Sequence, residues 1–592
     1  MEDLFFDQED REILPDDTGA TASRTTIHRQ GKKRSRLNVA CDNCRERRSK
    51  CDGLRPSCTY CHNRGRTCHY QNTPPLGSSK TEAELAAINK RLDHLTNLLS
   101  RSQAIPASSA EFGESHANNS GLNDQDDSPF KLLGRGSMLQ VLGLGAEFAE
   151  ELLGLERCRK EAQDHPSRFF IVQHQQALSA LAAFSALVHV WYPILRPGFS
   201  EQYLQIISGR LHSSPKSCLA LLVAAIGSFA QHAEAGMPQG DRVDDSYFEL
   251  ALSALPAVIS QCSVISVQCL ILFSIYYCCL MRPCHAHDYA VIASFKVQDL
   301  LKRPQRDDAE AVEHLRRAYW TILLLESELN VQFDFTKSGI WSLDELMPLP
   351  DSRRTWEFSL ELGSPVALST SPASMQPSPS TGADKVQSYF LAEIAMRRML
   401  HRCNTAIRKT SNGQWLYAPR IAYELELQLE EWYNYLPSII RFSTDKAHED
   451  DASLRACSLT NFLRVQYHCC KISIYWPAVY QAIEDGNAVG ELLDHCRRFF
   501  EAYIQLMPSI LIAFEKCLVN RWTLFASIFM TSMATMKAMK ASCLSELCSP
   551  ELYHCLSSAT RVSQEVVRHS PSLTRMLEIL TQRISNDYET PV

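Results

Sequence analysis

Cys41-Asp-Asn-Cys44-Arg-Glu-Arg-Arg-Ser-Lys-Cys51 and Cys58-Thr-Tyr-Cys61-His-Asn-Arg-Gly-Arg-Thr-Cys68 are two copies of one half-motif, Cys-x2-Cys-x6-Cys, repeated without error. Thiolates at this spacing are metal ligands, and each copy can wrap one short helix and a return strand around an ion. Two tetrahedral zinc shells need eight sulfur positions, so six cysteines close the count only if two of them bridge both ions. The spacing therefore predicts one binuclear cluster, with Cys41, Cys44, Cys51, Cys58, Cys61 and Cys68 as ligands and two Zn2+ ions as cofactor. Such a cluster is negatively charged, and nearby Arg, Lys and backbone N–H groups must offset it.

Those groups are at hand. Residues 24–68 hold 13 Lys or Arg against 3 Asp or Glu, in a chain whose formal net charge is -7. A basic stripe in an otherwise acidic chain is the footprint of polyanion binding, because released counterions drive association. No secretory signal opens the chain, which sets a disulfide framework aside. Just before the cluster, Lys32, Lys33, Arg34 and Arg36 form a run suited to nuclear import or to an arm along the phosphates, so the expected location is the nucleus.

The run from Ala40 to Cys68 resembles the fungal binuclear zinc cluster family of transcription factors. The resemblance implies that Cys41 and Cys58 are the bridging ligands and that Pro56 is the family's loop proline. It also implies that Arg47 and Arg48 approach the bases of a CGG triplet. Most relatives carry Lys at the second of these positions; Arg retains the ability to read guanine through O6 and N7. Arg45, Lys50, Arg64 and Arg66 are expected to contact phosphate or balance the cluster charge.

Past the cluster, Thr73-Pro-Pro and Gly77-Ser-Ser mark residues 71–80 as a linker. Leu85, Ile88, Leu92, Leu95 and Leu99 then recur at alternating spacings of three and four, after a capping box at Thr81–Glu84. This predicts a short coiled-coil helix over 81–102 that pairs two copies of the chain, as family members do here. Residues 103–129 are polar and aperiodic, a flexible tether. From 130 to 592 the apolar residues recur at helical spacing, which predicts a large all-α domain. Several stretches there resemble the family's middle homology region: Val267–Tyr277, Glu313–Trp320 with Leu323–Glu326, Leu436-Pro437, and Tyr467-His468 leading to Trp476-Pro477. Val297–Arg303 departs from its usual Leu-Gly-Leu-His-Arg segment.

Other segments narrow the function. Residues 250–281 carry no charge, yet Pro256, Gln261, Gln268 and several serines make them buried helices, and no membrane span is expected. Residues 366–383, eleven of eighteen being Ser, Thr, Pro or Gly, read as a disordered loop. The other 16 cysteines lack metal spacing; Cys284 with His285 and His287 reads as the start of a helix or loop rather than a second metal site. Residues 1–23 are an acidic tail whose Leu4, Phe5, Phe6, Ile13 and Leu14 suit folding on a coactivator. Gly-x-Ser-x-Gly, His-Glu-x-x-His and Gly-x4-Gly-Lys are missing, and a closed four-thiolate shell leaves no place for substrate, so no enzyme is expected. The reading is a nuclear, zinc-dependent factor that binds double-stranded DNA at CGG-type half-sites as a homodimer. Activation is favoured, and the family tendency points to a metabolic or secondary-metabolite gene cluster. The competing reading is a zinc-bearing corepressor or adaptor without DNA contacts of its own.

Overall fold

Helices are the regular elements among the residues that the structure, a computed structural model, describes: 41–47, 49, 51, 57–69, 136–158, 174–209, 211–235, 243–303, 309–330, 333, 335–351, 356, 381–406, 417–444 and 457–588. They fall in two units, within residues 1–76 and 77–592. The acidic tail, the import run, the linker, the heptad helix and the tether lie outside the described residues, as do Arg48, Lys50 and Pro56.

In the first unit, α1 (Asp42–Glu46) and α2 (Thr59–His62) are single helical turns, each opened by a cysteine. No return strand forms among the described residues; after α2 the chain continues to His69 in turns and irregular backbone.

The second unit is built of packed helices. Its N-terminal part comprises α3 (Gly136–Val141), α4 (Phe148–Arg157), α5 (His174–Phe184), α6 (Phe199–Ile207), α7 (Pro215–Ala235), α8 (Val243–Ser253) and α9 (Leu255–Ser260). Then come α10 (Val264–Cys279), α11 (Pro283–Lys302), α12 (Ala309–Leu329), α13 (Thr381–Ala406) and α14 (Pro419–Asn434). The C-terminal part has α15 (Ser458–Asp485), α16 (Glu491–Lys516), α17 (Arg521–Met539), α18 (Pro550–Ala559), α19 (Gln564–Val567) and α20 (Pro571–Tyr588).

α10 shows why the uncharged stretch is interior. It is apolar on every side, and a helix without a polar face must be enclosed. α7, α11 and α12 pack around it. Its N-cap, Ser263, accepts the Ser266 N–H at 3.2 Å. The few polar side chains find internal partners: Gln268 Nε2 donates to the Ile194 carbonyl at 2.6 Å, Ser274 Oγ to the Ala286 carbonyl at 2.7 Å, and Tyr276 OH to Asp244 at 3.1 Å. Within α7, Pro215–Ala233 is long and apolar enough to cross a membrane, but it too is largely buried in the unit.

α5 and α7 approach so closely that a Cβ on Gly227 would lie inside the Ala180 carbonyl. α15 and α16 form a long hairpin, turned by Gly486 and Gly490 in positive-φ conformations. Near the unit's centre Arg397 of α13 pairs with Glu393 at 3.0 Å and with Glu328 of α12. Gln466 of α15 donates to Glu393 at 2.7 Å, and Thr523 of α17 donates to Glu328 at 2.5 Å. Four helices thus meet on one buried ion network. Arg317, in the resemblance-carrying segment Glu313–Trp320, is 1% exposed; it binds Glu313 at 2.9 Å and lies 3.9 Å over the Trp356 ring.

Two local expectations meet the structure directly. α13 begins at Thr381, three residues inside the stretch read as a loop, so Thr381, Gly382 and Ala383 are helical. The Cys284 group opens α11: His285 stacks on Tyr277, while His287 pairs with the Thr336 carbonyl at 3.0 Å and stacks on Phe335.

Candidate metal centre and nucleic-acid interface

Each Cys-x2-Cys places its second thiol one helical turn after the first, on the same side of a short helix. Cys41 precedes α1 and Cys44 lies within it; Cys58 is the N-cap of α2 and Cys61 lies within it. The Cys61 N–H donates to Cys58 Sγ at 3.4 Å, so this thiol serves as the helix cap. The two half-motifs face each other: Cys41 Sγ lies 3.7 Å from both Cys58 Sγ and Cys61 Sγ, and Cys44 Sγ lies 3.8 Å from Cys58 Sγ. Asn43 Nδ2 reaches the Thr67 carbonyl at 3.3 Å and ties the first half to the end of the second. Gly65, at φ 58°, turns the chain after α2 so that the Arg66 N–H returns to the Cys61 carbonyl at 3.0 Å.

The sulfurs form two groups of four, Cys41, Cys44, Cys51, Cys58 and Cys41, Cys58, Cys61, Cys68, each with its ligand atoms within 4.8 Å of one another. Cys41, Cys44, Cys58 and Cys61 are buried, whereas Cys51 and Cys68 sit at the edge. The donor chemistry fits zinc, which favours tetrahedral thiolate shells. Burial pushes the Cys41 and Cys61 thiols up and Cys58 up to about 12, so crowded sulfurs without a cation stay protonated. A coordinated cation reverses that preference. Cys68 is lowered to about 7, first because the Cys58 N–H donates to its Sγ at 3.3 Å.

Around this centre the basic residues occupy different settings. Arg47 is exposed just past α1, and Arg45 lies within α1. Arg64 Nη1 donates to Tyr60 OH at 3.0 Å, with its guanidinium 4.7 Å from the ring centroid, so its position is set by a neighbour one turn back. Arg66 is half-buried. Asn43 and Tyr60 were not singled out from sequence. Their roles depend on what the fold brings opposite them, and the sequence signals neither, since Asn and Tyr between spaced cysteines are also ordinary solvent-facing residues.

Two half-motifs converging on two four-sulfur groups define a small binuclear metal centre beside a basic, exposed edge. Residues 39–76 match the family model described as the fungal Zn(2)-Cys(6) binuclear cluster domain. The chain is 45% identical over 571 residues to the Aspergillus rugulosus protein ecdB, named as a transcription factor; the match covers 93% of this chain and 98% of that one. It is 43% identical over 56 residues to transcription factor qa-1f of Neurospora crassa, which covers 10% of this chain and 7% of that one. It is 21% identical over 554 residues to the transcriptional activator protein acu-15 of Neurospora crassa, covering 82% of this chain and 56% of that one. No solved structure matches.

The chain therefore belongs to the fungal Zn(2)-Cys(6) transcription factors. It is a zinc-dependent DNA-binding transcription factor, with two zinc ions in its cluster domain and a helical unit downstream.

Proposed function

We propose that this factor activates transcription in the nucleus by reading CGG-type half-sites as a homodimer. The observation that carries the site assignment is that Cys41 and Cys58 are the two sulfurs common to both four-sulfur groups. They are assigned as the bridging ligands. Cys44 and Cys51 complete one zinc shell, and Cys61 and Cys68 the other. The metal supplies the fold of this unit when bound; recognition belongs to the side chains around it. Arg47 and Arg48 contact guanine edges. Arg45, Lys50, Arg64 and Arg66 hold the phosphates or balance the cluster charge.

Leu85, Ile88, Leu92, Leu95 and Leu99 form the dimer seam, and the residues between Cys68 and that seam set half-site spacing. Lys32, Lys33, Arg34 and Arg36 direct import, and the acidic segment at the N-terminus engages a coactivator. Activation is supported by the name of acu-15, which matches most of this chain. Residues 130–592 act as the regulatory middle homology region, and a metabolic or secondary-metabolite gene cluster is the expected target.

In vitro selection of DNA sites with the full chain, with zinc and after chelation, tests the reading. Paired CGG triplets at one spacing, lost on chelation and degenerate in Arg48→Ala, are expected. Selection of an unchanged motif by Arg48→Ala would remove that residue from base readout.

A further inference from the structure

The second half-motif carries a cation on an aromatic support. Tyr60, within the single turn of α2, is half-buried and packs against the buried group Cys41, Cys44, Cys58 and Cys61. Its ring is therefore anchored on the metal centre. Arg64 follows four residues later, where side chains one helical turn apart meet. The backbone between them is fixed by the Asn63 N–H to the Thr59 carbonyl at 3.0 Å and the Arg64 N–H to the Cys61 carbonyl at 3.3 Å.

Two contacts then hold the Arg64 side chain. Its Nη1 donates to Tyr60 OH at 3.0 Å, and its guanidinium lies 4.7 Å from the ring centroid. The residue as a whole remains exposed, whereas Arg66 is half-buried. The hydrogen bond to Tyr60 uses one of five donors and leaves the charge intact. Residues 57–69 include no Asp or Glu, so no carboxylate of this half-motif competes for that charge. An exposed cation already ordered on a rigid support loses little side-chain freedom when it meets an anion, and such preorganisation raises affinity without adding a contact.

We propose that Tyr60 positions Arg64 as the phosphate clamp of the second half-motif, a role that rests on the reading of Arg47 and Arg48 as the base-contacting pair. The clamp fixes the module on the DNA backbone and carries no sequence information of its own.

The test uses the full chain loaded with zinc and two duplexes, one with paired CGG triplets and one without, with affinity read by fluorescence anisotropy across a salt series. Tyr60→Leu removes ring and hydroxyl. Affinity should fall about two- to tenfold on both duplexes, at an unchanged slope of log affinity against log salt, because Arg64 still reaches the phosphate. Arg64→Ala should make that slope shallower by about 0.9, the value of one phosphate contact, and in its background Tyr60→Leu should cost nothing more. Tyr60→Phe keeps the ring and should retain part of the affinity; it repeats the cycle should Tyr60→Leu fail to hold zinc. A slope unmoved by Arg64→Ala, or a Tyr60 effect of full size in the Arg64→Ala chain, overturns the proposal. A parent chain without preference for the CGG duplex would overturn the base readout instead, and the phosphate cycle is then read on either duplex.

Discussion

Arg397 illustrates how single residues in this chain carry stability. Its guanidinium is buried between Glu393 and Glu328, and burial pushes the Glu393 carboxyl up despite the adjacent cation. Removing the cation leaves two carboxylates inside with no counter-charge. Arg397→Ala should cost about 3–5 kcal/mol. Urea unfolding followed by tryptophan fluorescence measures it, because all eight tryptophans lie at or beyond Trp191 and report the helical unit alone. An unchanged midpoint would show that the network adds nothing. Gly227→Ala tests a different force, overpacking: a methyl group has no room against the Ala180 carbonyl, so α5 and α7 must separate. The expected loss is about 1–3 kcal/mol by the same assay. At this scale the convergence of the six cysteines was legible, since Cys spacing is a covalent fact about the chain. Gly227 was not, because glycine inside an apolar helix says nothing about which backbone lies opposite.

At the scale of the element, helices with a periodic or uniformly apolar pattern could be read directly. The uncharged stretch through α10 was assigned to buried helix from its composition, and it is enclosed by α7, α11 and α12. Boundaries were less legible. α13 starts inside the Ser/Pro-rich stretch because Thr381 and Gly382 continue into a helix whose apolar face is buried against α15. Among the described residues no return strand forms after α2, where the short arm up to Cys68 has no partner strand to pair with. For the proposed dimer seam of residues 81–102, Leu92→Lys with Leu95→Lys should convert the proposed dimer to a monomer in sedimentation equilibrium. Selected sites should then shift from paired to single triplets. A dimer that survives the double change would place self-association elsewhere.

For the molecule as a whole, acidification probes the buried histidines of the helical unit. His189 is lowered to about 3, chiefly by burial, and the Leu195 N–H donates to its Nε2 at 3.2 Å, which requires a neutral ring. Burial also holds His468 well below the ordinary histidine range. Both stay neutral in the folded state while the unfolded chain takes up protons below about pH 6.5, so stability falls as pH falls. From pH 7 to pH 5 each histidine should cost about 2 kcal/mol. His189→Gln should flatten the pH slope of the urea midpoint, and an identical slope in that variant would assign the effect to other groups. Chelation of zinc, in contrast, should abolish DNA binding and leave this unit's tryptophan signal intact, because its described core contains no metal-spaced cysteines.

From the sequence alone came the metal and its stoichiometry, the helical class of the second unit and the basic footprint of a DNA-binding protein. These depend on residue spacing, periodicity and net charge, which are properties of the chain before it folds. Tertiary structure decided how closely the sulfurs converge, with Cys41 and Cys58 common to both four-sulfur groups. It also decided that the ion network around Arg397 draws on four helices, and why Gly227 is required. Each of these is a meeting of residues distant along the chain, and such meetings are set by how helices pack rather than by any local pattern.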